Sequence, residues 1–190
     1  MDNKIRYNPE IHHRRSIRLK GYDYSTGALY FITFCCDKRQ HLFCEIEHDE
    51  MILSDAGVIA HQCWHGIPQH FPNAVLHEYV VMPNHVHGII ELLPSSVSLC
   101  SDKKSLQPFS NDEKSYQIHE FQKMIPRSIA SIIKGYKIGV TKWFRANTEV
   151  HTVWQRNYYD HIIRNEQSYQ TISEYIRNNP ARWEQDKFYK

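Results

Sequence analysis

Two histidines separated by one apolar residue, His85 and His87, are the pair in this sequence whose types and spacing best suit metal binding. β-Branched residues surround them in the run 82–90 (MPNHVHGII), which favours a strand. Side chains two residues apart in a strand share a face, while Val86 points to the other face, so both imidazoles can bind one ion. Two surface histidines beside a turn would show the same pattern, and the pair alone leaves both alternatives open.

A second group of polar side chains lies near the C-terminal end of the sequence. Residues 166–178 predict a helix that ends at Asn179, because a residue before proline is disfavoured in the α conformation. Tyr175 and Asn179 are four residues apart and therefore share one helix face. If this face opposes the histidine strand, Asn179 supplies an oxygen to the same metal and Tyr175 presents its hydroxyl beside a bound substrate. Tyr175 also continues an apolar stripe with Ile176, so a purely structural role is the alternative.

Two other sets of potential ligands have weaker support. His61 and His65 lie at i and i+4 of a predicted helix, and without a second ligand set they indicate a polar helix face. The five cysteines are odd in number and contain no Cys-x-x-Cys pair, which predicts reduced thiols and neither a disulfide framework nor a zinc site. They are Cys35, Cys36, Cys44, Cys63 and Cys100.

The elements that must position these side chains alternate between strands and helices. The pattern favours an α+β fold in which helices pack against an antiparallel sheet. The predicted strands are 28–36, 74–82, 86–93 and a segment within 153–163, and the predicted helices are 49–66, 125–145 and 166–178.

Length and composition indicate one globular domain. The chain has 190 residues, 41% hydrophobic and 23% charged, with no apolar run of the roughly 18 residues that a membrane span needs. The polar N-terminus lacks the apolar core of a signal peptide, so we expect a cytoplasmic protein. We predict a basic arm at 1–20, a catalytic domain at 21–190 and a mobile loop at 94–117, which is rich in Ser, Lys and Asp.

The net charge of +2 is small, but the cations cluster in the arm and in the helix around 134–145. Basic clusters beside aromatic residues suit a phosphate backbone and stacked bases, whereas a solvated basic face is the alternative. The arm supplies Arg14, Arg15, Arg18 and Lys20, and the helix supplies Lys142, as candidate DNA contacts.

Five segments resemble, in this order, those of the single-tyrosine transposases of the HUH class (histidine–hydrophobic–histidine). Within that class the resemblance is to the branch associated with repetitive extragenic palindromic (REP) elements of bacteria, and it extends from about Arg14 to Trp183. The segments are Thr33-Phe34-Cys35, 82–90, 140–143, 154–165 and Tyr175-Ile176-Arg177-Asn178-Asn179-Pro180.

The resemblance implies a ferredoxin-like HUH endonuclease core and a strand-specific enzyme that cleaves and joins single-stranded DNA at hairpins. His85 and His87 match the two histidines that bind Mg²⁺ or Mn²⁺, Asn179 matches the third ligand, and Tyr175 matches the nucleophile that forms a 5′-phosphotyrosine. Tyr158 and Tyr159 are rival nucleophiles. They have only isoleucines four residues later, where Tyr175 has a ligand, so we discount them.

Further expectations follow from this ligand set and from the resemblance. Imidazole ligands favour transition metals, so we expect activity with Mn²⁺ to equal or exceed activity with Mg²⁺. The expected partner is hairpin-bearing DNA in the bacterial cytoplasm, at the nucleoid, and the expected state is a monomer, with a dimer as the alternative. The alternative functions are a hairpin-binding module without turnover and a hydrolytic metal-dependent nuclease in which Tyr175 belongs to the core.

Overall fold

The computed structural model describes residues 27–47, 50–94 and 125–189. The predicted arm at 1–20 and residues 95–117 of the predicted loop lie outside this part of the chain. The elements are β1 (Ala28–Cys35), a 3₁₀ turn (Asp37–Arg39), β2 (Cys44–Glu47), β3 (Glu50–Leu53), α1 (Asp55–His65), α2 (Ile67–His70), β4 (Ala74–Met82), β5 (His85–Leu92), α3 (Ile129–Asn147), β6 (Tyr159–Ile163), α4 (Glu166–Asn178) and a 3₁₀ helix (Pro180–Gln185).

Within the described residues, β4, β5, β1 and β6 form a sheet in that spatial order, and each neighbouring pair is antiparallel. The chain enters at the inner strand β1, crosses through α1 to the edge strand β4, returns by a hairpin to β5 and crosses through α3 to the other edge. This β-α-β-β-α-β order is the ferredoxin-like arrangement. The predicted α+β class, with helices packed against an antiparallel sheet, is confirmed.

The two faces of the sheet are covered by different helices. Side chains of one face, including Tyr30, Ile32 and Phe34, form the larger core, on which α1 and α3 pack. A smaller core on the other face includes Ile89 and lies under α4 and the C-terminal segment. The face of a residue on β1 or β5 therefore determines which helices it meets.

The histidine pair lies at the beginning of β5, directly after the turn that follows Met82. In the β1–β5 register, His85 is opposite Cys35 and His87 is opposite Thr33. Because β5 is an inner strand, the backbone around both histidines is hydrogen-bonded on each side. This support holds the two rings in fixed positions.

The structure moves two predicted helix starts and narrows the range of one predicted strand. The helix predicted at 49–66 begins only at Asp55, where the Ser54 side chain accepts from the Gly57 amide, and residues 50–53 instead pair with β2. The helix predicted from 125 begins at Ile129, after the Ser128 cap. The strand predicted within 153–163 is limited to the last five residues of that range. In the first two cases a serine cap sets the helix start more sharply than apolar periodicity does.

The four cysteines in the described part of the chain are free thiols. No helix that the structure describes is long and apolar enough to cross a membrane.

Candidate metal and nucleophile site

His85 and His87 share the α4 face of the sheet, and their side chains are 0% and 1% exposed. Their ring centroids are 4.4 Å apart. The Nδ1 atom of His87 lies 2.7 Å from Thr33 Oγ1 on the neighbouring strand. This hydrogen bond uses one ring nitrogen and leaves Nε2 to point toward α4, which is how proteins commonly orient a metal-binding imidazole.

His85 is oriented in the same way by the residue before it. Its Nδ1 donates to Asn84 Oδ1 at 2.9 Å, and the Asn84 amide in turn donates to the carbonyl of Phe188 at 2.9 Å. The remaining nitrogen, His85 Nε2, is buried and has no hydrogen-bond partner among the described residues. A buried, unpartnered imidazole nitrogen is costly unless a ligand occupies the space in front of it.

Helix α4 brings the predicted tyrosine and asparagine to these histidines. The Tyr175 hydroxyl lies 3.2 Å from His87 Nε2, although the two residues are 88 positions apart in the chain. Asn179, one turn later, is 3% exposed, and its Oδ1 atom has no partner in the described part of the chain. The four predicted residues therefore converge, and Tyr175 remains 40% exposed at the edge of the cluster.

Asp186 is a member of this cluster that the sequence analysis missed. Its Oδ2 atom accepts from Asn179 Nδ2 at 3.1 Å and lies 3.3 Å from the Tyr175 hydroxyl, while Oδ1 accepts from the Phe188 amide at 2.6 Å. Ligand atoms of Asp186, His85 and His87 all lie within 4.8 Å of one another. Asp186 follows the 3₁₀ helix after Pro180, where no periodic pattern predicts a direction. The sequence signal that could have identified Asp186 is that it is an acidic residue a few positions after the predicted ligand Asn179.

Burial decides the protonation of the site. It lowers the pKa of His85 to about 3, and the cations Lys187 and Arg39 act in the same direction. Burial also lowers the pKa of His87 well below its usual range. The His85 ring adds to that effect, and the Asp186 carboxylate opposes it. Both imidazoles are therefore neutral at pH 7, which is the form that binds metals.

The pKa of the candidate nucleophile, Tyr175, is shifted in the opposite direction. Burial, followed by the Asp186 carboxylate, raises the pKa of Tyr175 to about 12. The hydroxyl therefore keeps its proton at neutral pH unless positive charge is brought close to it.

The donor set suits a divalent cation. It comprises two neutral imidazole nitrogens, one carboxylate and one amide oxygen, a mixture compatible with Mn²⁺ and, through its oxygen ligands, with Mg²⁺. The buried, unpartnered atoms His85 Nε2 and Asn179 Oδ1 are the observation that favours a bound ion. Because these two buried atoms lack partners, the residues present fit the divalent metal ion that the sequence predicts.

The other predicted residues lie elsewhere. Lys142 is exposed on α3, on the opposite side of the sheet. Tyr158 packs against the larger core, and Tyr159 is exposed on the histidine face, with its ring centroid 6.3 Å from that of Phe31. Tyr159 makes no hydrogen bond to the histidine pair within the residues that the structure describes. Arg14, Arg15, Arg18 and Lys20 lie outside the described residues.

His61 and His65 form a separate group on α1. Their ring centroids are 4.7 Å apart, and His65 Nε2 lies 2.9 Å from the hydroxyl of Tyr79. Both imidazoles are exposed, as expected for a polar helix face.

Comparison with known proteins gives matches in sequence and in structure. No protein-family model matches the chain. An uncharacterized protein of Haemophilus influenzae strain Rd is 47% identical over 184 residues, which covers 97% of this chain and 97% of that protein. The two chains belong to one family.

The structural neighbours have much lower sequence identity. A REP-associated tyrosine transposase solved with a REP hairpin superposes with a TM-score of 0.57 at 18% identity, covering 89% of this chain and 74% of that one. A Deinococcus radiodurans R1 protein described as a candidate transposase gives 0.45 at 15% identity, covering 85% and 95%. The chain has the fold of this REP-associated tyrosine transposase, as the first superposition shows.

Proposed function

We propose that this protein is a metal-dependent, strand-specific enzyme that cleaves and joins single-stranded DNA at hairpins through a 5′-phosphotyrosine on Tyr175. The observation that carries the proposal is the contact of the exposed Tyr175 hydroxyl with the buried His87 imidazole and the Asp186 carboxylate, at 3.2 and 3.3 Å. A hydroxyl that is open to solvent on one side and touches a metal-type donor set on the other can meet both a DNA strand and an ion.

In the proposed reaction Tyr175 Oη attacks a backbone phosphorus and the bond from that phosphorus to the 3′ oxygen breaks. The tyrosine proton passes to Asp186 Oδ2, the carboxylate oxygen nearest to the hydroxyl, and the leaving 3′ oxygen takes a proton from water. His85, His87 and Asn179, with Asp186 beside them, would hold Mg²⁺ or Mn²⁺, which neutralises phosphate charge when bound. Thr33 and Asn84 keep the two imidazoles in the orientation that ligation requires.

A tyrosine nucleophile suits joining as well as cutting. The DNA remains attached to the protein through a phosphodiester, so a second 3′ hydroxyl can attack that bond, reseal a strand and release Tyr175 without ATP. An activated water would instead hydrolyse the bond and end the reaction at cleavage. We therefore infer a strand transferase rather than a simple nuclease.

The experiment is a denaturing gel of the protein with labelled single-stranded DNA from the flanks of its own gene, hairpins included, in Mn²⁺. We expect a protein-linked DNA band from the wild type and none from Tyr175→Phe. Tyr159→Phe is the matched control, because it removes an exposed hydroxyl from the same face without touching the histidines. It should keep the band.

Two results would contradict the proposal. Cleavage without a protein-linked band, unchanged in Tyr175→Phe, indicates a hydrolytic nuclease in which the tyrosine is structural. Tight hairpin binding without cleavage, with each flanking hairpin tried on both strands, indicates a binding module. In the same assay, activity with Mg²⁺ but none with Mn²⁺ argues against the imidazole ligands.

We further propose that the protein acts as a monomer in the bacterial cytoplasm, at the nucleoid, and that Arg14, Arg15, Arg18, Lys20 and Lys142 contact DNA phosphates.

A further inference from the structure

Two histidines on α1 and a tyrosine on β4 form a cluster that the proposed DNA chemistry does not use. His61 and His65 are about one helical turn apart, and their ring centroids are separated by 4.7 Å. The Tyr79 hydroxyl lies 2.5 Å from Nδ1 of His61 and 2.9 Å from Nε2 of His65. A nitrogen of each imidazole and the phenol oxygen therefore lie close together, near the C-terminal end of α1.

A bulge in β4 turns Tyr79 toward α1. Leu76 is opposite Ile90 on β5, whereas Tyr79, three residues later, is opposite Gly88, only two residues earlier on β5. Because side chains alternate along a regular strand, Leu76 and Tyr79 would otherwise point to opposite faces of the sheet. The extra residue lets both pack against the larger core, on the side of α1. Without the bulge, Tyr79 would face α4 and could not reach the two histidines.

The Tyr79 ring is held in place by packing. It stacks on the Trp64 indole, with ring centroids 5.2 Å apart and ring planes at 15°. Trp64 is buried and lies against Gly88, where an added Cβ would overlap the indole ring. The phenol oxygen is therefore presented to the histidines by a close-packed support.

The cluster is separate from the site of the proposed nucleophile. Tyr79 packs against the larger core with α1, whereas His85 and His87 are on the α4 face of the sheet. The histidines of α1 are both exposed, so an ion can reach them without any opening of the fold.

The donor types suit a late transition metal. Imidazole nitrogens bind Ni²⁺, Cu²⁺ and Zn²⁺ well, whereas Mg²⁺ prefers oxygen ligands. Tyrosine oxygen is an established metal ligand in its deprotonated form. Partial burial, followed by the His65 ring, lowers the pKa of His61, so this ring is neutral at pH 7 and can donate a lone pair.

The distances within the cluster are close to those of a four-coordinate ion. With metal–ligand bonds of about 2.0–2.1 Å, the ligand atoms of a tetrahedral site are roughly 3.3 Å apart. The Tyr79 oxygen is 2.5 and 2.9 Å from the two ring nitrogens. Movements of less than about 1 Å by two exposed imidazoles would make room for the ion.

We propose that His61, His65 and Tyr79 bind a divalent transition-metal ion, with water as the fourth ligand. The phenol proton of Tyr79 passes to solvent when the ion binds, and the oxygen ligates as phenolate. The ion connects α1 to β4, which are adjacent only in the folded chain, so it stabilises the folded state. This site requires neither Tyr175 nor DNA.

The test is isothermal titration of the metal-free protein with Zn²⁺. It compares His61→Gln/His65→Gln with the control His70→Gln/His151→Gln, which removes two exposed histidines outside the cluster. We expect the wild type and the control to bind one more equivalent of Zn²⁺ than the first variant. Because the criterion is this difference, it holds whether or not His85 and His87 also bind zinc. Excess Mg²⁺ should not displace this equivalent.

Tyr79→Phe tests the third ligand. Phenylalanine keeps the ring that stacks on Trp64 and removes only the oxygen. We expect this variant to retain the equivalent of Zn²⁺ with an affinity about 10-fold lower or weaker still. The metal-free variants should keep the wild-type melting temperature, because the altered groups are at the surface.

A second arm does not depend on any variant. Crystals of the wild-type protein soaked in Zn²⁺ should show an anomalous difference peak within bonding distance of His61, His65 and Tyr79. Equal zinc stoichiometry in the two double variants overturns the proposal. So does wild-type zinc affinity in Tyr79→Phe, or an anomalous peak at His85 and His87 with none at this cluster.

Discussion

Thr33→Val tests whether the site needs the hydrogen bond between Thr33 and His87 Nδ1 in order to bind metal. The Thr33 hydroxyl lies 2.7 Å from His87 Nδ1 in a buried environment, and valine has nearly the same shape without the oxygen. The variant leaves Nδ1 without a partner, which costs about 1–3 kcal/mol. For a chain of this length that corresponds to a fall in melting temperature of about 3–9 °C.

The same substitution should weaken metal binding. Loss of a partner that orients a ligating histidine lowers metal affinity by about 10- to 100-fold. Isothermal titration with Mn²⁺ measures that affinity, and differential scanning calorimetry in EDTA measures the stability separately. Thr171→Val is the control, because its hydroxyl only donates to the Gln167 carbonyl on the exposed side of α4. We expect that control to leave stability within about 0.5 kcal/mol of wild type.

Three outcomes for Thr33→Val would count against this prediction in different ways. If Thr33→Val binds Mn²⁺ as tightly as wild type, His87 does not need this hydrogen bond to act as a ligand. If the melting temperature in EDTA is also unchanged, the hydroxyl is not stabilising the imidazole. A fall in stability with unchanged metal affinity would make Thr33 a structural residue only.

Two further predictions concern stability. The metal-free protein should lose stability as the pH falls below about 6.5, because in this range the unfolded chain protonates histidine while the pKa of folded His85 is about 3. At pH 5 the free energy of unfolding should be about 2 kcal/mol lower than at neutral pH because of His85 alone. An unchanged free energy of unfolding from pH 7 to 5, measured by urea denaturation in EDTA, would contradict this prediction. Gly88→Ala should destabilise by about 1–3 kcal/mol, because a Cβ at this position would overlap the Trp64 ring. Gly66→Ala, whose added Cβ meets only ordinary contacts, should change stability little in the same urea titration.

Much of the fold could be predicted because its signals are local. The β-branched run around His85 and the proline after Asn179 predict the strand and the helix end that the structure contains. The failures occurred where a local signal was ambiguous. Residues 50–53 fit a helix by apolar spacing, but they pair with β2, and the Ser54 cap starts the helix after them. Pairing with a distant segment overrode local preference there.

The sequence alone determined the pairs that share a face: His85 with His87 on a strand, and Tyr175 with Asn179 on a helix. Both follow from the period of regular secondary structure, which depends only on neighbours in the chain. The tertiary structure decided that the two faces meet and that Asp186 joins them. These contacts join residues with no common period, so only the packing of helices on the two sides of the sheet could bring them together.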